Sequence, residues 1–137
     1  MNSIFRALCV IAAAVSLLSQ TQAQSHNEQV PVIDGAAGPC SIALTVRGAD
    51  TNPVYDATVK VHIAYGFGGF RKLDLQAGTN SDGKVKFIGL PARVQRPPLE
   101  FRGSKDDLTG IATFDPSSDC QVTRDIILEK PKPQDSR

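Results

Sequence analysis

An all-β fold, a sandwich of two sheets built from seven short strands, is what this chain predicts, and three features lead there. Apolar and polar residues alternate over Ala57-Thr58-Val59-Lys60-Val61-His62-Ile63 and again over Lys84-Val85-Lys86-Phe87, the two-residue period of a half-buried strand. Turn-forming residues recur roughly every eight to twelve positions, as in antiparallel sandwiches. Beyond the first 23 residues, no segment repeats its apolar positions at helical spacing.

Taken in order, residues 41–47 place Ile42, Leu44 and Val46 on one face, which makes them the first core strand. Gly48-Ala49-Asp50-Thr51-Asn52-Pro53 reverses the chain, each of its turn residues for its own reason. The second strand turns Ala57, Val59, Val61 and Ile63 inward and Thr58, Lys60 and His62 outward. Tyr65-Gly66-Phe67-Gly68-Gly69-Phe70 interrupts it. A third strand, residues 71–77, sets Leu73 and Leu75 on one face. Asn80-Ser81-Asp82-Gly83 is the tightest turn signal and implies that the strands flanking it pair. Val85 and Phe87 belong to the fourth strand, Leu99 and Phe101 to the fifth, residues 111–114 to the sixth and residues 121–129 to the seventh.

The ends read differently. Residues 1–23 combine Arg6, an apolar run over 7–18 and Thr21-Gln22-Ala23, which is the layout of a cleaved secretory leader; the run is short for a membrane span. Residues 24–39 hold Pro31, Gly35, Gly38 and Pro39 and read as a flexible tether, with a brief extended piece at 30–33. The folded domain is expected over 40–130, and 131–137 is a polar, disordered tail. The expected location is secreted or periplasmic, and the lack of any Asn-x-Ser/Thr acceptor favours a bacterial source.

Losing Arg6 with the leader reduces the 15 Lys and Arg to 14, against 14 Asp and Glu. A neutral chain with scattered charges argues against nucleic acid or an anionic membrane as main partner, since both call for a concentrated positive field. Cys9 leaves with the leader. The remaining pair, Cys40 and Cys120, is most simply one disulfide in an exported protein. A redox-active pair would be more closely spaced.

Pro53-Val54-Tyr55-Asp56-Ala57-Thr58-Val59, Thr79-Asn80-Ser81-Asp82-Gly83-Lys84 and Phe87-Ile88-Gly89-Leu90-Pro91 resemble the carboxypeptidase regulatory-like domains. These belong to the transthyretin-like, or prealbumin-like, group of sandwiches. The resemblance spans residues 41–129, with Asn52 standing where the family places a glycine. It implies a Greek-key, Ig-like sandwich serving as an accessory module that is not an enzyme. Enzymes of related architecture fit less well. Hydroxyisourate hydrolases share the Thr-Asn-x-Asp-Gly turn and end in Tyr-Arg-Gly-Ser, but here Phe101-Arg102-Gly103-Ser104 is internal and the first strand has no histidine. Intradiol dioxygenases hold iron with two tyrosines and a His-x-His pair; Tyr55 and Tyr65 are present and the pair is absent. Isopeptide-forming pilin sandwiches need a lysine in the first strand, and residues 41–47 contain none.

Among individual constellations, the Tyr65-Gly66-Phe67-Gly68-Gly69-Phe70 loop is the best recognition surface. Its glycines permit unusual backbone angles, and Tyr65, Phe67 and Phe70 offer flat faces. The bland alternative has Tyr65 and Phe70 capping the core. His62 reads as a solvated strand-face histidine beside Lys60. Cleavage after Ala23 would make His26 the third residue of the mature chain, where amine, amides and imidazole can wrap Cu(II) or Ni(II) in a square plane. Arg93, Arg96, Arg102 and Lys105 could meet an acidic surface, although Asp106 and Asp107 compensate nearby.

The leading expectation is therefore a non-catalytic module without a cofactor, binding a protein or glycan partner of the cell envelope through loops at one end. The alternatives are a metal-handling protein using His26 and a small transthyretin-like hydrolase. The mature chain is expected to have no membrane span, and its oligomeric state is open.

Overall fold

The computed structural model describes residues 29–133. The expected leader and His26 lie outside them. Eight strands form: β1 (Val32–Asp34), β2 (Cys40–Gly48), β3 (Thr58–Tyr65), β4 (Arg71–Gly78), β5 (Lys84–Leu90), β6 (Leu99–Lys105), β7 (Leu108–Phe114) and β8 (Gln121–Leu128). They make two four-stranded sheets, ordered β1-β5-β2-β8 and β4-β3-β6-β7. The all-β, two-sheet expectation holds. The strand count does not stop at seven, because Val32–Asp34 pairs parallel with Lys86, Phe87 and Ile88 of β5. Three residues make a short edge strand, which limits the unpaired rim it offers to other chains. No helix among the described residues is long and apolar enough to cross a membrane.

Every second residue of the central strands is buried. Ile42, Leu44 and Val46 of β2, Val85 and Phe87 of β5, and Ile126 and Leu128 of β8 form one wall. Val59, Val61 and Ile63 of β3, Phe101 of β6, and Ala112 and Phe114 of β7 form the other. Phe101 links the two walls: its ring centroid lies 5.3 Å from that of Phe87 and 6.4 Å from that of Phe114, both at tilted angles. Tilted contacts of this kind suit the ring quadrupoles.

The β7–β8 flank closes tightly. Thr109 and Glu129 exchange two backbone hydrogen bonds of 2.9 Å. A Cβ on Gly110 would sit 2.2 Å from the carbonyl oxygen of Ile127. Only a glycine lets the two sheets approach this closely. Between these strands, Asp115 accepts hydrogen bonds from the hydroxyl and N–H of Ser117 and from the Ser118 hydroxyl. Those donors, the Ser117 hydroxyl foremost, hold its carboxyl below the ordinary carboxylate value.

One expectation about pairing fails. The Asn80–Gly83 turn does not join partners, because β4 and β5 lie in opposite sheets. It is a crossing, held by side chains. Asn80 Oδ1 accepts the N–H groups of Asp82 and Lys84 at 3.1 and 2.9 Å. Buried Thr79 accepts the N–H of Ala57 at 2.9 Å and donates its hydroxyl to the carbonyl of Val54 at 2.6 Å. Replacing Thr79 by valine keeps the shape but strips both bonds and leaves the Ala57 N–H without this acceptor. Urea unfolding should show a loss of about 1–3 kcal/mol, the range for an orphaned buried polar group.

Cys40 and Cys120 are joined, with Cα atoms 4.6 Å apart. The bond lies within one sheet, where β2 and β8 begin their parallel ladder from Ser41↔Gln121 to Gly48↔Leu128. It ties neighbours and does not bridge the two layers.

Candidate functional site

The outer face of the β4-β3-β6-β7 sheet carries the chemistry. The alternation that buries Val59, Val61 and Ile63 leaves Lys60 and His62 of β3 exposed. Register then sets their neighbours: His62 lies opposite Asp74, Lys60 opposite Gln76 on one side and Arg102 on the other. Nδ1 of His62 is 2.5 Å from Oδ1 of Asp74. In the neutral ring this contact places the proton on Nδ1, donated to the carboxylate, and leaves the lone pair on Nε2. Arg102 is engaged by Glu100 at 2.8 Å. Lys60 makes no ion pair among the described residues.

A cleft opens beside this pair because β3 and β6 separate. Their ladder covers only Thr58↔Ser104, Val59↔Gly103 and Lys60↔Arg102. Towards His62 the strands no longer bond, and the gap widens to about 790 Å³. Its polar lining includes Lys60, His62, Asp74, Gln76, Arg96 and Arg102. This size is in the range of small-molecule sites. His62 stands outward beside Lys60, as its place in the alternation predicts, whereas Asp74 as its partner does not show in the sequence. The missing signal was the β3–β4 register.

The residues singled out as a recognition surface do not act as one cap. Tyr65 is half-buried and packs against the core. Phe67 and Phe70 are 95% and 84% exposed, so Phe70 does not cover the core as the bland alternative had it. Gly66, Gly68 and Gly69 all take positive φ angles. A Cβ on Gly68 would lie 2.8 Å from the Phe70 ring, and one on Gly69 would lie 2.6 Å from Gln95 Cγ. Arg93 and Arg96 are exposed on the neighbouring loop.

Two layers of four strands around an aromatic-bridged core define the class of protein, a β-sandwich. No family model and no curated protein matches the chain. Solved structures do. A 3-chlorocatechol 1,2-dioxygenase from Rhodococcus opacus aligns at TM-score 0.51 and 12% identity, covering 76% of this chain and 68% of that one. A hydroxyquinol 1,2-dioxygenase from Pseudomonas putida aligns at 0.49 and 10%, covering 76% and 63%. A catechol 1,2-dioxygenase from Acinetobacter aligns at 0.47 and 13%, covering 76% and 60%. The chain thus spans about three-fifths of the length of these last two enzymes.

This finding overturns the carboxypeptidase regulatory-like, transthyretin-like identification. It also removes the reading of a non-catalytic accessory module, which rested on that resemblance, because the structure matched at TM-score 0.51 is that of an enzyme. Neither alternative fits these neighbours better. His26 lies outside the described residues, and the hydrolase reading still lacks its first-strand histidine.

The iron that the intradiol enzymes carry does not suit this donor set. Tyr55 precedes β3 and Tyr65 ends it, so roughly 23 Å of extended chain separates them. No group of three His, Cys, Asp or Glu side chains among the described residues could hold a metal ion.

Proposed function

We propose that this chain is a small exported enzyme that binds a hydroxyaromatic compound in the cleft beside β3 and moves the proton of its hydroxyl through His62. The His62–Asp74 contact inside a cleft of ligand size carries this reading. Nε2 takes the proton as the O–H bond breaks, and the electron pair stays on the phenolic oxygen. Asp74 steadies the resulting imidazolium, as a carboxylate does for a catalytic histidine. The ammonium of Lys60 supports the phenolate. A catechol-type diol is the substrate class of choice, after the chlorocatechol named for the neighbour at TM-score 0.51. Export is supported by the leader-like residues 1–23 and the Cys40–Cys120 bond. The same reading takes the sandwich as Greek-key and Ig-like, with β1 added at an edge, on the strength of the parallel β2–β8 pairing.

The side-chain exposures of His62 and Asp74, 58% and 75%, favour a second reading, a solvated surface pair of little energetic weight. Titrating the labelled protein with catechol separates the two. The proposal expects shifts in the His62 and Lys60 resonances, growth of the catecholate absorption band, and binding weakened about 10- to 100-fold in His62→Ala, the worth of one charge-assisted hydrogen bond. Asp74→Asn should retain binding better than it retains the catecholate band. Unmoved His62 resonances at millimolar catechol would leave only the solvated pair.

A further inference from the structure

We infer that the loop between β3 and β4 docks this protein onto an anionic phospholipid surface, with Phe67 and Phe70 entering the interface and Arg71, Lys72, Arg93 and Arg96 meeting the headgroups. Phe67 and Phe70 are the two most exposed large apolar side chains described, at 95% and 84%. They are five positions or fewer from two cations in sequence, Arg71 and Lys72, both exposed.

The structure adds what the sequence does not show. The loop holding Arg93 and Arg96 is hydrogen-bonded to the aromatic loop. The Gln95 N–H donates to the Ala64 carbonyl at 2.9 Å, and Gln95 Nε2 donates to the Gly66 carbonyl at 3.2 Å. Tyr65 and Val94 form a bridge between the same segments. Inside the tip, Gly69 and Phe70 N–H groups donate back to Gly66 and Phe67 carbonyls at 3.1 and 3.4 Å. The two phenylalanines are therefore presented on a tied backbone, and little ordering is left to oppose insertion.

Charge selects the surface. Neither 66–73 nor 91–99 contains an acidic residue. The first acids beyond them, Asp74 and Glu100, are held by His62 and Arg102. A chain with a net charge of only +1 thus gathers four cations around two exposed phenyl rings. Phenylalanine has no polar handle for a sugar hydroxyl, whereas apolar wedges ringed by Lys and Arg suit an anionic bilayer.

The full chain, freed of its leader, should co-sediment with vesicles containing phosphatidylglycerol and much less with pure phosphatidylcholine. Raising the salt should weaken the binding steeply. Arg71→Gln with Arg93→Gln should weaken it about 25-fold, at about 5-fold per cation near the surface. Phe67→Ser with Phe70→Ser should weaken it while leaving the melting temperature in place. The chain has no tryptophan, so Phe67→Trp supplies a single indole probe, and its emission should move to the blue on anionic vesicles. Absence of binding to phosphatidylglycerol vesicles, equal binding to neutral ones, or an unshifted indole emission in a folded, sedimenting Phe67→Trp variant would each overturn the inference. Catechol titration of the serine variants should be unchanged, which keeps this result separate from the cleft.

Discussion

Replacing Phe101 by alanine will lower the unfolding free energy by about 3–5 kcal/mol, the cost of deleting a large aromatic from a packed core. The ring is fully buried. It is the piece of β6 that touches Phe87 on the opposite sheet and Phe114 on its own. Its removal therefore strips one contact between layers and one within a layer, and the void lies where rigid strands on both sides cannot close it. Phe101→Leu retains much of the volume and should cost about half as much. Urea melts followed by circular dichroism would read both. Equal, small losses for the two variants would mean that the layers slide together to fill the gap, and the sandwich would then be softer than its close packing implies. A domain with roughly 5–15 kcal/mol of net stability has little margin for the alanine variant.

The same residue marks what could and could not be read from the chain. Its burial was legible, because Leu99 and Phe101 alternate with polar neighbours and β-structure has a period of two. Its partners were not legible, because alternation says which face is inward and is silent about which strand lies opposite. The Asp82-Gly83 turn invited a local pairing, yet the chain uses that turn to cross between sheets, with Thr79 and Asn80 supplying the hydrogen bonds that a hairpin partner would have supplied. β1 showed only as a brief extended piece at 30–33, in a stretch rich in glycine and proline; that it pairs with β5 was not legible, since three residues on an edge are too few to show a period.

The family reading failed for a related reason. Thr79, Asn80, Gly83 and the Gly89-Leu90-Pro91 close serve the backbone, so they follow the demands of the scaffold and can recur wherever a sandwich needs the same crossing. The cleft was closer to hand. Tyr65 and Arg71 flank a five-residue loop, and they pair directly. Counting back three residues on one strand and forward three on the other brings His62 opposite Asp74. What was lacking was the end of each strand, and glycine-rich loops blur those ends.

Breaking the Cys40–Cys120 bond should have an effect of similar size by a different route. The two cysteines are 80 residues apart, so the cross-link restrains most of the unfolded domain. The chain-entropy model gives about 4.5 kcal/mol for a loop of this length. In the folded state the bond adds less. β2 and β8 already run side by side through eight paired residues, and Ser41 N–H donates to the Cys120 carbonyl at 2.8 Å next to the sulfurs. The native structure should therefore survive in Cys40→Ala with Cys120→Ala, with its near-ultraviolet spectrum and exposed surfaces intact, while the urea midpoint drops sharply. Alanine is the fitting replacement because Cys40 is fully buried, and a serine hydroxyl there would add its own desolvation cost. A loss below about 1 kcal/mol would mean that the unfolded chain keeps its ends together without the bond. A variant with its native spectrum lost would instead make the sulfurs a part of the fold's architecture, and the parallel ladder alone would be too weak to align β2 with β8.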